Sequence, residues 1–216
     1  MIIVSKCPYR ISLLGGGSDI NWYLEEEGYG MCLGTSIKQY STIAISYLEN
    51  QLNKGILNYS IREEYIDAYT IAHSLIRNTF IRMNMFDKLE LASFGSQISG
   101  SGLGGSSSFL VALVSAISKI QLNNLTKDEI IQLAFDIEVN NVGAPIGGQD
   151  HYLSALGGGN LIHFENKKNI IHEKNTATKT AENLVSQCHV VFTGINRSAT
   201  KVINNIKEEN KEKNIK

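Results

Sequence analysis

ISGSGLGGSSS, at residues 98–108, is a glycine-rich stretch that lies between two strongly apolar segments. Before it, residues 88–94 (KLELASF) alternate apolar and polar side chains, as a half-buried strand does. After it, residues 109–120 (FLVALVSAISKI) form an apolar run that is typical of a buried helix. The sequence therefore predicts a strand, a glycine-rich loop and a buried helix in that order, and the rest of the chain is organised around them.

A glycine-rich loop that leads into a helix is suited to binding an anion. Glycine lets the backbone approach a ligand closely, and free amides at the positive end of a helix dipole attract negative charge. Serine hydroxyls at such a loop can bind a phosphate oxygen or a magnesium ion. The alternative is a flexible Gly/Ser linker, which the two apolar flanks disfavour. The loop has neither the lysine of a Walker A motif nor the pattern of a dinucleotide-binding loop.

The composition limits the class of protein. The 216 residues are enough for one core of good size or two small domains. A formal net charge of −1 favours neither nucleic acid nor an anionic membrane as a partner, and no signal peptide or membrane-spanning run is present in the sequence. Cys7, Cys32 and Cys188 are widely spaced in apolar sequence, which predicts free, mostly buried thiols without metal-ligand spacing. These features predict a cytoplasmic protein.

A second glycine-rich loop, GGGSD at residues 15–19, precedes a helix predicted at residues 20–27. Ser18 or Asp19 could be the N-cap of that helix. The three consecutive glycines instead favour a loop that faces a ligand. Both interpretations of Asp19 are open from the residues alone.

A third loop, GAPIGG at residues 143–148, is followed by Gln149, Asp150 and His151. Asp150 falls where a short helix is predicted to begin, so capping alone could explain it. Three polar residues of these types after a flexible loop are also typical of a reactive cluster.

Apolar periodicity predicts the remaining elements. A helix opens at Thr126 with Glu129 at capping-box spacing. Glu138 lies near the C-terminal end of that helix, where a carboxylate either requires a cation or is exposed to solvent. The other predictions are strands at residues 2–14, 32–47 and 55–59, a long helix at residues 61–85, a hairpin formed by residues 159–165 and 170–172, a buried strand at residues 188–193 and a disordered tail at residues 207–216.

Three stretches together resemble the GHMP small-molecule kinases, the superfamily of galactokinase, homoserine, mevalonate and phosphomevalonate kinases. They are PYRISLLGGGSD at residues 8–19, GSGLGGSS at residues 100–107, and Glu138 followed by GGQD at residues 147–150. Within the superfamily, GGGSD, GGQDHY and TGINR at residues 193–197 are most similar to the heptose 7-phosphate and related sugar-1-kinases. The similarity runs from about residue 2 to residue 205.

The resemblance implies a fold and an activity. The fold would be α+β, a two-layer ribosomal protein S5 domain 2-like N-terminal GHMP kinase domain with helices on one face of a mixed sheet. Residues 1–180 would form this ATP-binding domain, and residues 181–216 would begin a truncated C-terminal domain. The activity would be Mg²⁺-dependent transfer of the ATP γ-phosphate to a sugar or sugar-phosphate hydroxyl. C1 of a heptose 7-phosphate is the favoured acceptor, in nucleotide-activated sugar biosynthesis for surface polysaccharide.

The resemblance also assigns roles to individual residues. Asp150 would act as the base, or orient the attacking hydroxyl, while Arg10 would stabilise charge on the transferring phosphoryl group and hold Asp150. Ser106 and Glu138 would bind Mg²⁺. The remaining roles are ATP binding by Gly100, Ser101, Gly102, Leu103, Gly104, Gly105, Ser106 and Ser107, and substrate binding by Gly16, Gly17, Asp19, Thr193 and Arg197.

The sequence departs from the family pattern in several places. Ile98 and Ser99 stand where the family usually has a proline nearby, Gly105 replaces a serine, and Gly148 replaces a frequent lysine. The C-terminal half with a third glycine-rich motif is not found in the sequence. The chain therefore resembles the N-terminal two-thirds of such a kinase: a fragment, a truncated gene product or half of a split protein, with a homo-oligomer or the missing C-terminal half as its partner. The alternative to an active kinase is a non-catalytic remnant that binds nucleotide or sugar or needs a partner chain. A plain α+β binding module with structural glycine loops is a further alternative.

Overall fold

The protein is a mixed α/β chain, seen here in a computed structural model that describes residues 1–48, 53–95, 100–165, 169–191 and 193–194. This agrees with the fold class predicted from the sequence. None of the helices within those ranges is long and apolar enough to cross a membrane. In chain order the elements are β1 (Ile2–Leu14), α1 (Asn21–Glu27), β2 (Tyr29–Tyr47), β3 (Gly55–Asn58), β4 (Arg62–Tyr65), a 3₁₀ turn (Ala68–Thr70), α2 (Ser74–Arg82), β5 (Leu89–Gly95), α3 (Gly105–Ile120), α4 (Lys127–Asp136), a π-helical turn (Ile137–Asn141), α5 (Gln149–Leu156), β6 (Gly159–Glu165), β7 (Asn169–Glu173) and α6 (Thr176–Ser186).

The chain divides into two compact units, and the long strands β1 and β2 contribute to both. The first unit comprises Met1–Tyr9, Lys38–Ser96 and Ser106–Gly143. The second unit comprises Arg10–Ile37, Gln97–Gly105 and Ala144–Lys216. The predicted site residues are consequently divided between the units.

In the first unit, β3 pairs with β4 on one side and with β5 on the other. The β3–β4 pair is antiparallel and the β3–β5 pair is parallel. β5 also pairs antiparallel with residues 41–47 of β2. Four consecutive residues of α3 are buried, Val111, Ala112, Leu113 and Val114. Because consecutive residues lie on different sides of a helix, this explains why α3 is apolar on most of its surface rather than along one stripe.

In the second unit, residues 29–35 of β2 pair antiparallel with β6, and β6 pairs antiparallel with β7. The ring of Tyr152 on α5 contacts Phe164 on β6 edge to face, with ring centroids 6.3 Å apart. Leu153, the next residue of α5, is fully buried. These contacts hold α5 within the second unit, with Gln149 and Asp150 in its first turn.

Several predictions from local sequence are confirmed. The alternating segment before the glycine-rich loop is β5, the apolar run after it is α3, and residues 159–165 form a hairpin with β7. Thr126 and Glu129 form the predicted capping box of α4: the Thr126 amide donates to Glu129 Oε2 at 2.7 Å, and the Glu129 amide donates to Thr126 Oγ1 at 3.3 Å.

The prediction of one long helix at residues 61–85 is wrong, because this segment contains β4, the 3₁₀ turn and α2. Pairing with β3 holds residues 62–65 extended, and the Asp67 carboxylate caps the 3₁₀ turn by accepting the Tyr69 amide at 2.9 Å. Ile66 and Tyr69, which match the helical spacing, are 63% and 62% exposed. The apparent helical period thus joined residues that do not share one buried face.

The predicted buried strand at residues 188–193 is also wrong over its described part. Residues 188–191 form no strand, and Cys188, Val190 and Val191 are exposed. An apolar run becomes a strand only where a neighbouring strand offers hydrogen bonds, and none of the described strands pairs with it. Residue 192 and the predicted tail lie outside the described residues.

Candidate active site

Asp150 lies in the first turn of α5 and binds Arg10 of β1 through both carboxylate oxygens. Arg10 Nε donates to Asp150 Oδ1 at 2.6 Å, and Arg10 NH2 donates to Oδ2. The side chain of Arg10 is 12% exposed and that of Asp150 is 16% exposed, so this charge-assisted pair is partly shielded from water. The N-cap of α5 is Gly148, not Asp150. Asp150 is therefore held by a cation, and capping does not account for its contacts.

Arg10 also binds the glycine-rich loop of the second unit. Its NH1 donates to the Gly102 carbonyl at 2.6 Å, and its backbone amide donates to the Leu103 carbonyl at 3.1 Å. A Cβ at Gly104 would lie 3.1 Å from Arg10 Cγ and Nε, so the arginine closely approaches the loop backbone. Three of the five guanidinium N–H groups are used in these contacts and those with Asp150. Arg10 thus connects the loop with Asp150 and keeps further donors.

Asp19 is almost fully buried, at 2% exposure. Its Oδ1 accepts the Gly17 amide at 3.1 Å and Gln149 Nε2 at 3.2 Å, and its Oδ2 accepts the Gln149 amide at 2.9 Å. Burial raises the pKa of Asp19 above its ordinary value, the Gln149 amide opposes this shift, and the negative charge of Asp150 adds to it. Asp19 is therefore a buried carboxylate surrounded by donors of the chain itself.

Neither Ser18 nor Asp19 caps α1, so that interpretation is wrong. The N-cap is Ile20, which has no side-chain capping bond. The Ser18 hydroxyl donates to the Gly15 carbonyl at 2.8 Å and accepts the Met31 amide at 3.0 Å. The loop is thus held by contacts with β2, and the start of α1 does not need either side chain.

The glycines before Asp19 have different surroundings. A Cβ at Gly15 would overlap the Met31 carbonyl, so this glycine allows close packing on β2. A Cβ at Gly16 would lie 3.3 Å from Ser12 Oγ, whereas a Cβ at Gly17 would meet nothing within 4 Å. Gly17 has a positive φ of 97°, which favours glycine without any steric neighbour. The substrate-binding roles of Gly16 and Gly17 stay predictions.

Ser12 was absent from the predicted site, and Gln149 was predicted there as a member of a reactive cluster without a role of its own. Ser12 Oγ donates to Gln149 Oε1 at 2.7 Å, and Gln149 in turn donates to Asp19. A signal for them exists in the sequence: Ser12 follows Arg10 by two residues, the spacing of one strand face, and Gln149 directly precedes Asp150. His151, the third member of the predicted reactive cluster, is fully buried.

A separate carboxylate site lies in the first unit. The Ser107 hydroxyl donates to Glu138 Oε2 at 2.8 Å, and Glu138 is 3% exposed within the π-helical turn. The resemblance implies Ser106 as a ligand of Mg²⁺ together with Glu138. Ser106 is exposed in the first turn of α3, whereas Ser107 makes the direct contact with Glu138. The role of Ser106 stays a prediction. Carboxylate and hydroxyl oxygens are ligands that suit Mg²⁺, which usually completes its shell with water and phosphate oxygens. No cluster of three or more His, Cys, Asp or Glu suited to a metal occurs among the described residues.

For the remaining predicted site residues, the structure gives only the backbone conformation or the exposure, or does not describe them. Gly100, Gly102 and Gly104 have positive φ values of 75°, 77° and 71°, and Gly105 begins α3. Thr193 is exposed. Arg197 lies outside the described residues, as do Ile98 and Ser99 at the start of the glycine-rich stretch.

Sequence comparisons match this chain to kinases. Residues 69–158 match the family described as GHMP kinases N terminal domain. The chain is 28% identical over 212 residues to D-glycero-alpha-D-manno-heptose 7-phosphate kinase of Campylobacter jejuni, an alignment that covers 91% of this chain and 61% of that protein. This chain therefore spans less than two thirds of the length of that relative.

Solved structures support the same fold. A D-glycero-D-manno-heptose 1-phosphate kinase from Bacteroides thetaiotaomicron matches with a TM-score of 0.75 and 26% identity, over 82% of this chain and 60% of that one. A putative sugar kinase from Campylobacter jejuni matches with a TM-score of 0.66 and 28% identity, over 80% of this chain and 58% of that one. Lactococcus lactis galactokinase, at 20% identity, has a TM-score of 0.64 over 79% of this chain and 46% of that one, and shares the fold. Residues 69–158 are thus similar to the N-terminal domain of GHMP kinases, and the chain shares its fold with solved sugar kinases.

Proposed function

We propose that the chain acts as an ATP-dependent sugar kinase, which transfers the γ-phosphate of ATP to a hydroxyl of a sugar or sugar phosphate. The observation that carries the proposal is the double contact of Arg10, which binds both oxygens of Asp150 and the carbonyl of Gly102 in the glycine-rich loop. Phosphoryl transfer requires positioning and charge neutralisation more than covalent chemistry by the protein. A cation fixed between a carboxylate and a phosphate-type loop supplies both.

In the proposed reaction, the acceptor hydroxyl oxygen attacks the γ-phosphorus of ATP. The bond from that phosphorus to the β,γ-bridging oxygen breaks, and ADP leaves with the electron pair. Asp150 takes or orients the hydroxyl proton; its carboxylate has acceptor positions besides the two that Arg10 uses. The remaining N–H groups of Arg10 stabilise negative charge on the transferring group.

Nucleotide binding would use residues 100–107 at the start of α3. The amides of the loop and the positive end of this 16-residue helix favour phosphate. Mg²⁺ would be held by Glu138 together with Ser106 or Ser107, and its charge would offset that of the ATP phosphates. The Ser107–Glu138 contact supports a place for Ser107 beside the predicted Ser106.

The acceptor we favour is a heptose 7-phosphate, phosphorylated at C1, because the relative from Campylobacter jejuni is named as a kinase of that compound. Gly16, Gly17, Asp19 and Thr193 are proposed to contribute to the sugar site. Arg197 is proposed to bind the substrate phosphate, for which a guanidinium fork is well suited. Product use in nucleotide-activated sugar biosynthesis, a cytoplasmic location and a domain boundary near residue 180 are parts of the same proposal.

A nucleotide- or sugar-binding protein without turnover is the second candidate. The loop at residues 100–105 and the start of α3 would bind a phosphate whether or not transfer follows. The two candidates make different predictions for the same preparation.

The test is a coupled assay for ADP together with ³¹P NMR, using ATP, Mg²⁺ and a panel of heptose 7-phosphate, heptose 1-phosphate, galactose and mevalonate. We expect a sugar-dependent phosphate ester to appear, fastest with heptose 7-phosphate. Calorimetric titration of ATP with and without Mg²⁺ is run in parallel. Magnesium-dependent ATP binding without any ester would favour the binding protein, and absence of ATP binding would overturn both the kinase and a nucleotide-binding role.

A further inference from the structure

Gln149 is the centre of a hydrogen-bond network that includes no residue assigned a role in the chemistry except Asp19. Its side chain accepts from Ser12 Oγ at 2.7 Å and donates to Asp19 Oδ1 at 3.2 Å. Its backbone amide donates to Asp19 Oδ2 at 2.9 Å. Ser12 and Asp19 are 137 and 130 residues away in sequence, so these contacts depend on the tertiary fold.

The network runs beside the Arg10–Asp150 pair. Arg10 and Ser12 are two residues apart on β1, so their side chains share one face of the strand. Gln149 and Asp150 are consecutive in the first turn of α5. Two neighbouring side chains of β1 thus bind two neighbouring residues of α5, one pair by an ion pair and the other by a hydroxyl–amide hydrogen bond.

Asp19 restrains both the backbone and the side chain of Gln149. Three N–H groups of the chain occupy its two oxygens, and it is 2% exposed. A Cβ at Gly147 would overlap the Asp19 carboxylate, so the backbone before α5 passes directly against it. A buried carboxylate bound in this way is costly to move, because its donors and its charge would be left without partners.

We propose that Gln149 is a positioning residue for phosphoryl transfer. Ser12 and Asp19 hold Gln149, and Gln149 fixes the first turn of α5 in the orientation in which Asp150 meets Arg10. The expected effect of Gln149 on kcat rests on the proposed function. Its effect on the contact between Arg10 and Asp150 does not.

The kinetic test uses Gln149→Met, which keeps an unbranched side chain of similar length and removes both side-chain hydrogen bonds. We expect kcat to fall by about 10- to 100-fold, since small misplacements of reacting groups have effects of that order, with KM for ATP and sugar changed less than about threefold. Ser12→Ala, a milder change, should lower kcat in the same direction. Gln187→Met is the matched control, because Gln187 is exposed at the end of α6 in the same unit.

A double-mutant cycle separates positioning from a general effect on folding. If Gln149 acts through Asp150, adding Gln149→Met to Asp150→Asn should cause little further loss of turnover. An equal fractional loss in both backgrounds, or an unchanged kcat in Gln149→Met, would overturn the inference. Should Gln149→Met not fold, Ser12→Ala is carried through the same cycle and decides in its place.

Crystal structures of the wild type and the variant test the geometric part without any activity. We expect the Arg10–Asp150 contact to be lost or reduced to one hydrogen bond in Gln149→Met, and its retention would overturn the inference. If the wild type transfers no phosphate to any sugar while the contact still depends on Gln149, the kinase proposal fails and the positioning of Asp150 by Gln149 stands.

Discussion

The first turns of α4 and α5 both contain acidic residues, but they are stabilised in opposite ways. In α4, Thr126 and Glu129 satisfy each other's backbone amides three residues apart. In α5, the N-cap is Gly148 without a side-chain bond, and the first turn is held by Arg10, Ser12 and Asp19 from distant parts of the sequence. The polar side chains at the start of α4 stabilise that helix locally, whereas the carboxylate of Asp150 at the start of α5 pairs with Arg10.

The comparison is close because Asp128 and Asp150 occupy the same position, the second residue of their helices. Asp128 is exposed, and Asp150 is part of a shielded ion pair. The helix dipole favours both carboxylates equally in principle. Any difference between their substitutions therefore reports the surroundings and not the helical position.

The largest expected effect is that of Asp150→Asn on turnover. Asparagine keeps the volume of the side chain but cannot take the hydroxyl proton, and a general base typically contributes a factor of about 10² to 10⁴ in rate. We expect sugar phosphorylation to fall by that order with nearly unchanged ATP affinity, measured by initial rates and calorimetry. Asp128→Asn should leave both quantities unchanged. Equal activity of the two variants would remove Asp150 from the proposed mechanism.

The next effect concerns the backbone before α5. Gly147→Ala would place a methyl group on the Asp19 carboxylate, and overpacking of this kind costs about 1–3 kcal/mol. Urea unfolding should show a loss of that size. Gly105→Ala is the control at the first residue of α3, where a Cβ meets nothing within 4 Å. A Gly147→Ala variant as stable as this control would show that Asp19 and its donors are not held tightly.

The same contrast explains how much was predictable from the sequence. The capping box of α4 and the order of β5, loop and α3 depend on neighbours in sequence, and both were predicted. Asp150 was identified through the family resemblance. The bonds of Gln149 to Ser12 and Asp19 depend on how β1 meets α5, which no local pattern encodes.

The errors have the same origin. Residues 62–65 resemble part of a helix, but they pair with the preceding strand β3, which satisfies their backbone. Residues 188–191 resemble a strand, yet none of the described strands lies beside them. Periodicity indicates which side chains could lie on one face of a helix or strand. Whether that helix or strand forms depends on the part of the fold with which it packs or pairs.

A smaller effect is expected from Thr126→Ala in α4. Loss of an N-cap hydroxyl costs about 0.5–2 kcal/mol, so the free energy of unfolding should fall by about 1 kcal/mol in urea titration. Turnover per folded molecule and ATP affinity should not change, since the capping box is local. A large loss of kcat in this variant would show that the start of α4 affects turnover as well as stability, which would contradict the contrast with α5.

α2 offers a third kind of helix start, in which a histidine is the cap. His73 Nδ1 accepts the Ile76 amide at 3.5 Å, which requires a ring nitrogen without a proton. Its ring also contacts Tyr59, with centroids 4.8 Å apart. Burial lowers the pKa of His73 below its ordinary value, although the negative charge of Glu63 opposes the shift.

The smallest expected effect is therefore a dependence of stability on pH that His73 causes. In the unfolded chain histidine binds a proton with a pKa of about 6.5, and folded His73 binds it more weakly, so unfolding takes up a proton just below that pH. The free energy of unfolding must then rise with pH through this range and level off above it. His73→Asn keeps a good cap residue without the titration, and urea unfolding between about pH 5 and 8 should show a flatter slope than in the wild type. Equal slopes in the His73→Asn variant and the wild type would show that the cap of α2 does not titrate with folding.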